Sequence, residues 1–115
     1  MDASKVVVRV SGGAMLAIHS EDDLKDAVAH YGPLAIGTFV DPQMQHLPRG
    51  IFIPTACNIW GHALLLVGYG TENGTPYWLI KNSWGASWSE NGYFRMIRGQ
   101  GACQIGTYVA SATVA

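Results

Sequence analysis

Gly61-His62-Ala63-Leu64-Leu65-Leu66-Val67-Gly68-Tyr69-Gly70, followed after an Asn73-Gly74 pair by Tyr77-Trp78-Leu79-Ile80-Lys81-Asn82, is where the chain declares a β-sheet. The first run is apolar through Tyr69. Asn-Gly is among the strongest short hairpin signals, because both residues tolerate positive φ in a two-residue turn. Tyr77 to Lys81 then reads as the returning strand, and Tyr93 to Ile97 as a further one before the glycine-rich Arg98 to Gly101. His62 thus falls at a strand start and Asn82 at a strand end, near the loops where chemically active groups tend to lie.

Upstream, Val6, Val7, Val8 and Val10 form a β-branched run bounded by Ser11-Gly12-Gly13, a first strand. A helix follows. Ser20 can cap its N-terminus, Glu21, Asp22 and Asp23 put negative charge in its first turn, Leu24, Ala27, Val28 and Tyr31 make one apolar face, and Gly32-Pro33 stop it. Leu34 to Val40 reads as a buried strand, Asp41-Pro42 turns the chain into a Pro-rich irregular stretch ending near Pro54, and Thr107 to Val114 supplies a last strand. One helix with five or six strands predicts an α+β domain built on an antiparallel sheet.

Composition fits one domain spanning 1–115: 49% of residues are hydrophobic, and no like-charge block, repeat or linker interrupts them. Charged residues make up 13%, about half of what soluble domains usually carry, so some surface is expected to be covered. Seven Lys+Arg against eight Asp+Glu leave no basic stripe for phosphate, which argues against nucleic acid. No stretch approaches the roughly 18 apolar residues of a membrane span, and Met1 to Lys5 lack the apolar core of a signal peptide. The chain is therefore expected to be either intracellular or the mature or truncated end of a longer precursor. His19, His30, His46 and His62 do not fall at zinc spacings, so no metal and no cofactor is expected.

The run from Gly61 to Arg98 sets a histidine and then an asparagine among tryptophans and glycines, the second part reading Asn82-Ser83-Trp84-Gly85-Ala86-Ser87-Trp88-Ser89-Glu90-Asn91-Gly92-Tyr93-Phe94-Arg95. It resembles the papain-like cysteine proteases, nearest the cathepsin B and C branches. The match is dense from Gly61 to Cys103. Before that it rests on the capped helix, on Tyr31-Gly32-Pro33-Leu34 and on Gly50-Ile51-Phe52. The resemblance implies the antiparallel, β-barrel-like lobe that carries the histidine and asparagine in that family. His62 would be the general base beside a cysteine, Asn82 would hold its ring angle, Trp84 would shield that hydrogen bond, and Gly61 and Trp88 would border the cleft. Trp84 and Trp88 also suit plain core packing.

The resemblance also exposes a gap. The family carries its nucleophile in a Cys-Gly-Ser-Cys-Trp motif about 130 to 150 residues before the histidine, and neither that motif nor the upstream oxyanion-donating glutamine stands in this sequence. Cys57 lies five residues before His62, but the family places a structural half-cystine there, so the resemblance implies a Cys57–Cys103 disulfide in an oxidising compartment, with free thiols as the alternative. Lysosomal, vacuolar or secreted localisation is implied in the same way. The leading expectation is the C-terminal half of a cysteine-type peptidase, inactive alone and completed by a Cys-bearing half acting on peptides. The rival is a non-catalytic module that binds a partner or itself through the former interdomain face. Asn73-Gly74-Thr75 additionally fits an N-glycosylation sequon, although the hairpin turn accounts for Asn-Gly without it.

Overall fold

The computed structural model describes residues 6–10, 13–47, 49–82, 88–106 and 108–111, and the side chains of these except 6–10, 13–15, 45–46 and 59–62. The helix forms as the sequence dictates. Helix α1 spans Glu21–Tyr31, Ser20 Oγ accepts from the Asp23 amide at 3.1 Å, and Gly32, at φ 83°, closes it by donating to Val28 O at 2.9 Å. Leu24, Ala27 and Val28 are buried against the sheet.

Around this helix the described residues form one sheet of β1 (Val6–Val10), β2 (Gly13–Leu16), β3 (Leu34–Val40), β4 (Ile51–Phe52), β5 (Ile59–Glu72), β6 (Thr75–Lys81), β7 (Tyr93–Ile97) and β8 (Tyr108–Ser111), in the order β1-β2-β8-β3-β5-β6-β7-β4. Every pairing is antiparallel except β4 on β7. This exceeds the expected five or six strands and adds a parallel edge. β2 begins at Gly13, the last residue of the Ser11-Gly12-Gly13 boundary, and β4 and a 3-10 turn at Pro42–His46 fall within the Pro-rich stretch expected to be irregular. β5 begins at Ile59, so His62 stands within the strand rather than at its start.

The strands alternate faces, as their pleat requires. Leu34, Ile36, Thr38 and Val40 of β3, Leu64 and Leu66 of β5, Trp78 and Ile80 of β6, Phe94 and Met96 of β7, and Val109 of β8 are all buried. The apolar members join the α1 residues and Met44 in one core. Side chains from five strands and a helix can meet this way only if the sheet curls around its own inner face, which gives the barrel-like form of an α+β lobe. Val67 is an extra residue between the Leu66–Ile80 and Gly68–Leu79 pairs. That bulge shifts the alternation, so Tyr69 comes opposite Trp78 with the rings edge to face, centroids 6.3 Å apart. Gly70 must lack a side chain, since a Cβ there would sit 2.6 Å from the Tyr77 hydroxyl.

Three fasteners close the loops. The Cys57–Cys103 disulfide, with Cα atoms 5.2 Å apart, ties the approach to β5 to the 3-10 turn at Ala102–Gln104, and Thr38 Oγ1 donates to the Cys103 carbonyl at 2.5 Å. Glu21 accepts from Trp78 Nε1 at 2.8 Å and from the amides of Gly99 (2.7 Å) and Gly101, which pins the β7–β8 connection to the start of α1. Asp41, only 1% exposed, accepts from the amides of Gln43 (2.9 Å), Thr55 and Ala56 (both 3.0 Å) and so closes the excursion between β3 and β5. Burial alone would raise the Asp41 pKa. The three amides outweigh it and hold the carboxyl below its ordinary value.

Two measurements check these fasteners. Asp41→Ala leaves three amides without their acceptor and should cost on the order of 3 kcal/mol at pH 7 by urea denaturation. Because its folded-state pKa is depressed, the carboxylate's contribution is present above the unfolded value of about 3.9 and is lost as pH falls through the folded value, so the wild-type advantage should shrink in acid. A pH-independent difference would contradict that role. The Cys57→Ser/Cys103→Ser pair should lower stability by about 4 kcal/mol, the chain-entropy value for bridging residues 46 apart, and an unchanged midpoint would contradict it.

Candidate active site

The position of His62 is set by backbone pairing. In the β3–β5 ladder Thr38 pairs with His62 and Phe39 with Trp60, so Gly61 is an extra residue bulged out of register. Bulges of this kind re-aim the residue beside them and recur next to active sites. Gly61 thus has a structural reason to stand before His62.

Asn82 is reached from the other side. It follows Lys81, the last residue of β6, which pairs with Leu65. Carrying that register one step on sets Asn82 opposite Leu64, and both are buried while Leu65 and Lys81 are exposed. His62 is two residues from Leu64 and therefore belongs to the same face of the ladder. Cross-strand diagonal neighbours of this type have Cα atoms about 7 to 8 Å apart. The register thus sets the backbone positions of His62 and Asn82 two residues apart along one face of the ladder. Asn82, 5% exposed, is further fixed by its amide, which donates to Gly92 O at 3.0 Å.

The turn that receives this bond is built from left-handed residues, Ser89 (φ 48°), Asn91 (φ 60°) and Gly92 (φ 89°), with the Gly92 amide donating to Trp88 O at 2.8 Å. Glu90 anchors it. Its carboxylate takes two bonds from Arg95, from Nε and Nη2 at 3.0 Å each, and one from the Gly50 amide at 2.8 Å. The Arg95 hydrogen bonds hold the Glu90 carboxyl below its ordinary value, against the opposing effect of burial and with help from the Gly50 amide. Arg95 also pairs with Glu72 and lies 5.2 Å from the Tyr77 ring centroid, and its own pKa is raised by both carboxylates.

Trp88 is a core residue. It is 9% exposed, its Nε1 donates to Met44 O at 2.7 Å, and its ring meets Phe94 edge to face at 5.4 Å. Of its two readings, packing is the one these contacts display. Trp84 falls in 83–87, outside the described residues. The disulfide resolves the reading of Cys57, whose sulfur is bonded to Cys103 and is no nucleophile in this state. Of the carboxylates that position the surrounding segments, the sequence offers Glu21 only as a first-turn helix acid and Asp41 only as the start of a turn, and gives Glu90 no role of its own. Of their bonds, only the one Asp41 takes from Gln43 had a local signal, an acid before a proline at the first helical position. Among the described residues no group of three or more His, Cys, Asp or Glu side chains is placed to hold a metal ion.

Ala35, Gly37, Ala63, Tyr108 and Ala110 line a shallow apolar groove of about 230 Å³ on the outer face of β3, β5 and β8, opposite the face that His62 shares with Leu64. Tyr108 is 52% exposed there.

Known proteins match this arrangement closely. The papain family cysteine protease profile matches residues 1–113. A protein named pro-cathepsin H from Medicago truncatula is 39% identical over 109 residues, which cover 91% of this chain and 31% of that protein, and cysteine proteinase 3 from Solanum lycopersicum is 40% identical, covering 97% and 33%. The structure of digestive procathepsin L 3 from the Tenebrio molitor larval midgut superposes with a TM-score of 0.83 at 37% identity, covering 99% of this chain and 38% of that one. Bromelain protease from Ananas comosus, in complex with the E64 inhibitor, gives 0.82 at 31% identity, covering 92% and 51%. The chain spans about a third of the length of the curated relatives it matches. On this fold, this register and these likenesses, the chain belongs to the papain family of cysteine proteases.

Proposed function

We propose that this chain is the His/Asn half of a papain-like cysteine peptidase and that it works with a cysteine-bearing half outside the present sequence. The observation that supports the reading is the β3–β5–β6 register, which when carried one step past Lys81 puts the backbone positions of His62 and Asn82 on one face. In the assembled enzyme His62 takes the proton of the partner half's thiol, and the resulting thiolate attacks the scissile carbonyl to form an acyl-enzyme. His62 then passes the proton to the leaving amine. Asn82 orients the imidazole, and Trp84 keeps water from that hydrogen bond. The missing half, or a second copy of this chain, covers the face that carries the site. The disulfide supports an oxidising compartment, lysosomal, vacuolar or secreted.

Alone, the chain should leave a thiol-dependent fluorogenic peptide intact, because a base without a nucleophile forms no acyl intermediate. Turnover by the isolated chain that His62→Ala abolishes would contradict this. When a family cysteine-bearing half is supplied, hydrolysis should appear. His62→Ala should then lower kcat by at least about 10³-fold, and Asn82→Ala by on the order of 10- to 10²-fold, since it removes only orientation. Equal rates for wild type and His62→Ala in the assembled enzyme would remove His62 from the mechanism.

A further inference from the structure

The turn that closes the β5–β6 hairpin carries a chemical group that the fold does not use. Glu72 pairs with Thr75 across a two-residue turn, Asn73 and Gly74 both adopt left-handed conformations (φ 50° and 82°), and Asn73 is exposed. Asparagine is favoured there for its backbone, and its side-chain amide makes no hydrogen bond to any described residue. Neighbouring Glu72 is drawn away to Arg95 and does not cover it. Thr75 supplies a hydroxyl two residues on. None of the other asparagines has this partner, since Trp60, Trp84 and Tyr93 stand two residues after Asn58, Asn82 and Asn91. The disulfide is a separate sign of a compartment in which such asparagines are modified.

We propose that Asn73 is an N-glycosylation site. The donor is a lipid-pyrophosphate-linked oligosaccharide. The Asn73 amide nitrogen attacks its anomeric carbon, a C–N bond forms, the C–O bond to pyrophosphate breaks, the amide loses one proton and the lipid pyrophosphate leaves. Pro76 restricts Thr75 to extended backbone and opposes the local turn that brings hydroxyl and amide together, so occupancy is partial. The glycan leaves the candidate site open. β5 runs from His62 to Glu72 at about 3.3 Å per residue, which sets the turn on the order of 30 Å away.

The test is to express the full chain behind a secretory leader in a eukaryotic cell, recover both secreted and retained protein, and release glycans enzymatically in heavy-oxygen water. Release converts a glycosylated asparagine to an aspartate bearing the label. A labelled fraction at residue 73 is expected, lost in Asn73→Gln and Thr75→Ala, kept in Thr75→Ser and increased in Pro76→Ala. Transfer takes place on the emerging chain, so a variant that folds poorly still reports. Residue 73 recovered without label in both wild type and Pro76→Ala would overturn the proposal, as would conversion to unlabelled aspartate alone, the product of spontaneous Asn-Gly deamidation.

Discussion

Everything near the candidate site hangs on the backbone pairing of β5 with its two neighbours. Because side chains alternate along a strand, a one-residue slip between β5 and β6 would send His62 to the face opposite Asn82, and one between β3 and β5 would set Leu64 against the exposed face of β3. Two forces fix the register. The burial of Leu64 and Leu66 against Ile36, Ile80 and Phe94 permits only one phase of alternation, and the Asn73-Gly74 turn sets the hairpin's starting point. Each fully buried aliphatic or aromatic side chain contributes roughly 1.5 to 3 kcal/mol, so a slipped register would forfeit far more than the marginal stability of a domain. The bulges at Gly61 and Val67 are the two places where the ladder departs from strict pairing, and they lie on either side of the buried segment.

The sheet alone would leave its connections loose. A single carboxylate gathers each of three of them: Asp41 for the β3–β5 excursion, Glu21 for the β7–β8 connection, and Glu90 for the turn behind Asn82. Each accepts backbone amides, and charge-assisted bonds of this kind are roughly twice as strong as neutral ones. The low charge content therefore takes on a further meaning. Three of eight acidic residues act as internal fasteners, leaving fewer for solvent than the composition suggests. The disulfide and the Thr38–Cys103 bond complete the set and tie the far loop to the strand that pairs with His62.

The parts of this fold that obey local rules were legible in the sequence. The helix from Ser20 to Gly32 carries its cap, first-turn acids and stop in adjacent residues, and β3, β5, β6 and β7 announce themselves by apolar runs and a turn. β2 and β4 were hidden for physical reasons. Gly13-Ala14-Met15-Leu16 has weak strand character and is a strand because β1 and β8 flank it, while Ile51–Phe52 is two residues long and exists by parallel pairing with the distant β7. His62 and Asn82 stand out in the sequence because flanking tryptophans and glycines give them a context that a lone histidine lacks. Trp88 was ambiguous because an indole serves packing and cleft equally well in a sequence, and its bond to Met44 O and its contact with Phe94 display the packing. The long-range bonds of the carboxylate fasteners were invisible, since their donors lie as far as 80 residues away, and only the local bond from Gln43 to Asp41 had a sequence signal.

The most direct measurement is a solution NMR map of cross-strand contacts in the isolated chain. Expected are Hα and amide contacts joining Thr38 to His62 and Leu65 to Lys81, together with contacts between the His62 ring and the Asn82 carboxamide. A ladder displaced by one residue, with Leu64 facing Lys81 and no contact between His62 and Asn82, would contradict the account at its root.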